Sequence, residues 1–102
     1  MAVVSTEWLD ARAGDPDVRV IEVAMGAAGG PRIAGADRVN WKAFLWHATD
    51  RAFVTPDEAA ARLGALGIGE GVAVVVAGDP VQFGTYAYWV LRMAGVAPLH
   101  LL

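Results

Sequence analysis

Apolar and polar positions along this chain switch between a strand-like and a helix-like period, and the switches mark its elements. The densest stretch is 72–95, VAVVVAGDPVQFGTYAYWVLRMAG. Val72 to Ala77 is an unbroken apolar run rich in β-branched residues, which is the pattern of a strand covered on both faces in the middle of a parallel sheet. Gly78, Asp79 and Pro80 stop it. From Phe83 to Met93 the large apolar side chains Phe83, Tyr86, Trp89, Val90 and Met93 recur at helical spacing, and Gly95 supplies a left-handed stop. The stretch therefore predicts a strand, a tight loop and a helix. That order aims the backbone N–H groups of Val81 to Thr85 above the strand's carboxyl end, where an open α/β sheet usually holds its ligand.

The rest of the chain follows the same logic. Ser5 is a good helix cap and Glu7 lies near the positive end of a short helix that runs to about Ala13, with Trp8 and Leu9 inward, until Gly14 ends it. Asp15-Pro16-Asp17 is a turn. Val18 to Val23 alternates and reads as the first strand. Met25 to Pro31, MGAAGGP, holds too little that can be buried and reads as a flexible loop. Val39-Asn40-Trp41 is read as a short strand, and Lys42 to Arg51 as one or two helical turns over the sheet edge. Thr55-Pro56-Asp57-Glu58 is the strongest local signal: a cap hydroxyl, proline at the first helical position, and a glutamate placed to reach back to the cap amide. That helix runs through Ala59, Leu63 and Leu66 to Gly67. Ile68-Gly69-Glu70-Gly71 turns the chain into the central strand, and Ala97 to Leu102 is apolar enough for a last one.

Strands alternating with helices give an α/β fold: a small parallel sheet with helices on both faces, joined by right-handed crossovers. At 102 residues the chain is one domain, 1–102, with one core. The apolar share of 56% is high, yet no apolar run reaches the roughly 18 residues of a membrane span. The start has no basic leader, so no signal peptide is read and the cytoplasm is the expected location.

Charge and cysteine content narrow the chemistry. A net charge of −3, dispersed along the chain, excludes a nucleic-acid footprint. Zero cysteines exclude a disulfide scaffold, a thiolate metal site and a cysteine nucleophile together. The histidines, His47 and His100, lack the spacing of a zinc site, so no metal and no cofactor is expected. Ser5 is spent as a cap, and no serine hydrolase follows. Gly67-x-Gly69-x-Gly71 precedes a strand instead of following one, and is a helix stop with a turn, not a phosphate loop. Trp8, Trp41, Trp46 and Trp89 are read as core or interface anchors. Asp79 is the one ionisable side chain of the candidate loop, and its expected role is to form the turn.

A strand ending in a six-residue loop that wraps onto a helix resembles the active-site region of the rhodanese (thiosulfate sulfurtransferase) family. The nearest likeness is to the first, non-catalytic domain of two-domain rhodaneses, in which a Gly-Asp loop is followed by an Ala-Tyr-x-Trp type helix, here Ala87, Tyr88 and Trp89. Arg32-Ile33-Ala34-Gly35-Ala36 resembles the family's His-Ile-Pro-Gly-Ala segment, changed at its first and third positions. Glu22-Val23-Ala24 stands where the family has an Asp-Val-Arg type sequence, so the acid is kept and the base is lost. The chain ends where the family adds a Gly-Gly turn and another helix.

The resemblance places Gly78 at the position of the family's catalytic cysteine and Phe83 at that of a frequent arginine. Sulfur transfer in that family passes through a cysteine persulfide, so the resemblance implies a domain that is catalytically silent alone. Its role would be the structural and pocket-completing half of a thiosulfate or mercaptopyruvate sulfurtransferase, beside a cysteine-bearing rhodanese domain or partner chain. The flank left without the last helix would be open to self-association. The alternative is a stand-alone module that holds an anion or a partner protein at the loop amides, with Gly78, Asp79, Val81, Gln82, Phe83, Gly84 and Thr85 as candidate contacts. Neither reading involves nucleic acid or a membrane.

Overall fold

The computed structural model describes residues 3–25, 33, 35–46, 52–79 and 81–102. Four strands, β1 (Val18–Ala24), β2 (Asp37–Asn40), β3 (Ala73–Asp79) and β4 (Leu99–Leu101), form one sheet in the order β2-β1-β3-β4. Each neighbouring pair is parallel. The Val72–Ala77 run is central as expected, because β3 lies between β1 and β4. Its strand continues further, to Asp79, which pairs with Ala24. The six-residue loop expected at 78–83 is consequently shorter: only positions 80 and 81 separate β3 from the helix α4 (Gln82–Met93).

Alternation along β1 and β3 divides the core in two. Ile21, Val23, Val74 and Val76 face one side, where α2 (Trp41–Leu45), α3 (Pro56–Ala65) and α4 cover them with Phe44, Leu45, Leu63, Val90 and Leu91. Each such Val or Leu, when fully buried, adds about 1.5–3 kcal/mol relative to exposure, so this side holds most of the apolar stabilisation. Val20 and Val75 face the other side, where α1 (Thr6–Asp10) brings Trp8 and Leu9. Helices thus lie on both faces, but unequally: among the described residues the second face has one five-residue helix. Val4 extends that arrangement by donating its N–H to the carbonyl of Leu101, at 2.8 Å.

The caps explain where helices begin. Thr55 accepts from the N–H of Glu58 through its hydroxyl, with Pro56 at the first position, as the sequence indicated. Gly67 follows with φ 80°, the left-handed stop that ends α3. Ser5 caps α1 through the N–H of Trp8, but the α-helix closes at Asp10, before the expected Ala13, and 11–14 continue as turns. The second strand differs more. Asn40 accepts from the N–H groups of both Lys42 and Ala43, so it is a helix cap and Trp41 opens α2 instead of closing a strand. The strand starts earlier, at Asp37, in register with Ile21. The glycine-rich stretch 26–31, His47 to Arg51, and Pro80 lie outside the described residues. Among those described, no helix is long and apolar enough to cross a membrane.

Candidate functional site

Parallel pairing brings the carboxyl ends of β1, β2 and β3 to one edge of the sheet. Glu22 stands opposite Arg38 on β2 and opposite Ala77 on β3, so acid and base share a row and a face. Asp79 lies one row nearer the edge on that same face, beside Ala24. The side chains meet: Arg38 donates from one terminal nitrogen to Glu22 Oε1 at 2.6 Å and from the other to Asp79 Oδ2 at 3.0 Å. Glu22 is only 2% exposed, and its second oxygen accepts from the backbone N–H of Ile33 at 3.3 Å. Such a charge persists in an apolar interior only because it is paired and hydrogen-bonded. The Nε of Arg38 is buried without a hydrogen-bond partner among the described residues.

A cavity of about 240 Å³ opens beside this cluster. Glu22, Ala77, Gly78 and Asp79 line it from the sheet, Ile33 and Val81 from the adjoining segments, and Leu102 from beyond β4. It is small for an organic substrate, whose pockets run from about 300 Å³ upward. Among the described residues its lining combines two carboxylates with apolar groups and carries no thiol or hydroxyl. Among the described residues no group of three or more His, Asp or Glu is arranged to hold a metal.

The seven candidate positions from the sequence separate here. Gly78, Asp79 and Val81 reach the cavity. Gly84 is buried against the strand end: a Cβ on it would stand 2.7 Å from the backbone nitrogen of Gly78 and 3.0 Å from the carbonyl carbon of Ala77. Helix α4 thus lies directly on β3, and only glycine permits that approach. Gln82 and Thr85 are exposed. Phe83 turns to Trp41, with ring centroids 5.6 Å apart, in an aromatic cluster completed by Trp46, Phe53 and Tyr86. No side chain caps the start of α4, and the N–H of Gly84 is already taken by the carbonyl of Val81 at 3.0 Å.

Arg38 is the functional-edge residue that sequence reading missed. The first strand's own base is absent after Glu22-Val23, and the cation arrives instead from the neighbouring strand. A signal existed in principle, since Arg38 lies two residues beyond the matched Gly35-Ala36 segment. Using it required the register Glu22 to Arg38, which a single sequence does not print.

The likeness noted in the sequence extends over nearly the whole chain. A protein named sulfur carrier protein TtuD, from Thermus thermophilus, is 31% identical over 105 residues, which cover 98% of this chain and 36% of that protein. The chain is rhodanese-like. A Haloferax volcanii protein provisionally named thiosulfate sulfurtransferase is 31% identical over 108 residues, covering 98% of this chain and 38% of its own length. One from Saccharopolyspora erythraea, with the same provisional name, is 32% identical over 103 residues, covering 98% and 37%. No family model matches. This rhodanese-like chain spans little more than a third of the length of the curated relatives it matches.

Proposed function

We propose that this chain is a rhodanese-like sulfurtransferase-family domain that carries no sulfur itself and completes the substrate pocket of a cysteine-bearing rhodanese domain in the cytoplasm. The observation that carries the reading is the edge at Gly78. The residue aligned by resemblance with the family's cysteine is a glycine with no side chain, and the cavity beside it is lined by the carboxylates of Glu22 and Asp79. No cysteine exists anywhere in the chain to form a persulfide. With glycine at that position, the chain lacks the nucleophile on which sulfur transfer in the family runs. Relatives named for sulfur transfer or sulfur carriage, each more than twice as long as the matched region, supply the context for a pocket shared between domains.

The test joins an activity assay to a binding assay. The purified chain should give no thiocyanate from thiosulfate and cyanide above a heat-killed control. Mixed with a cysteine-bearing rhodanese domain encoded beside it, it should form a complex and change that domain's KM for thiosulfate. Thiocyanate formation by the chain alone would overturn the silent reading; an unchanged KM and no complex would overturn the pocket-completing role.

A further inference from the structure

We draw no further inference here: the strongest candidate, the apolar groove of about 290 Å³ that Val39, Ala43, Phe44, Ala65 and Leu66 line between the edge strand β2 and helices α2 and α3, carries none because nothing in the structure shows what covers it.

Discussion

Gly84 lies so close to Gly78 that a single added methyl would stand 2.7 Å from the strand's backbone nitrogen. The contact is backbone against backbone, so no flexible side chain can give way. Alanine ordinarily stabilises a helix interior by about 0.5–1 kcal/mol relative to glycine, whereas overpacking costs about 1–3 kcal/mol. Gly84→Ala is therefore expected to destabilise the fold by about 1–3 kcal/mol. Gly64 provides the contrast, being helical with nothing within 4 Å of its added Cβ, and Gly64→Ala is expected to stabilise slightly. Urea unfolding of the two variants should move the midpoint in opposite directions. Equal shifts would mean that α4 does not rest on β3 at this point.

Arg38 holds two carboxylates, and one of them, Glu22, is almost wholly buried. Removing the cation takes away the ion pair of a nearly buried carboxylate, and breaking such a pair costs about 3–5 kcal/mol. Arg38→Met is expected to lose that much in denaturant unfolding at neutral pH. Glu22→Leu added to Arg38→Met should recover part of the loss, because the buried carboxylate that needed the cation is then gone. A double variant less stable than the single one would place the energy in the arginine's packing instead of its charge.

The fold was legible wherever the signal was local. Thr55 with Pro56 and Glu58 announces a helix start from four consecutive residues, and Gly67 and Gly95 announce stops because only φ values near 80° and 86° close those turns. The β-branched run 72–77 announces a buried strand. Asn40 misled because an asparagine between Val39 and Trp41 reads as part of an apolar strand until its carboxamide is seen capping two amides. Gly84 was read as a loop amide, and its close approach to Gly78 is a tertiary fact invisible in spacing. The charge cluster was the least legible. Glu22, Arg38 and Asp79 are 16 and 41 residues apart by their hydrogen bonds, and only the parallel register assembles them.

Tyr86 sits among Trp41 and Phe53, and burial pushes its phenol above the ordinary value near 10. The indole N–H of Trp46 makes no hydrogen bond of good geometry, so its opposing influence on the phenol only partly offsets burial. Because the folded pKa is raised, the folded state retains a proton that the unfolded chain gives up. Stability should then be fully present below the unfolded value and fall as pH rises through about 10 toward the folded pKa. Tyr86→Phe should flatten that decline. Thermal unfolding from neutral to strongly alkaline pH checks it, and parallel curves for the two proteins would show that Tyr86 contributes nothing to the slope.

Asp79 decides whether the cavity at Gly78 can hold an anion. It lines that cavity, and its carboxylate accepts from Arg38. At an effective dielectric near 20, an anion about 4 Å from a carboxylate meets about 4 kcal/mol of repulsion, of which Arg38 cancels part. A helix start offers an anion only about 0.3–1 kcal/mol, and here the amide of Gly84 is already committed to Val81. Repulsion therefore wins in the wild type, which should bind sulfate or thiosulfate no more tightly than millimolar. Asp79→Asn removes one unit of negative charge while an amide oxygen remains to accept from Arg38. It should bind several-fold more tightly. Amide NMR titration of both proteins at one ionic strength measures this, following Gly78, Val81 and Thr85. Equal affinities, or a tighter wild type, would mean that Arg38 already silences Asp79 and that shape, not charge, governs the cavity.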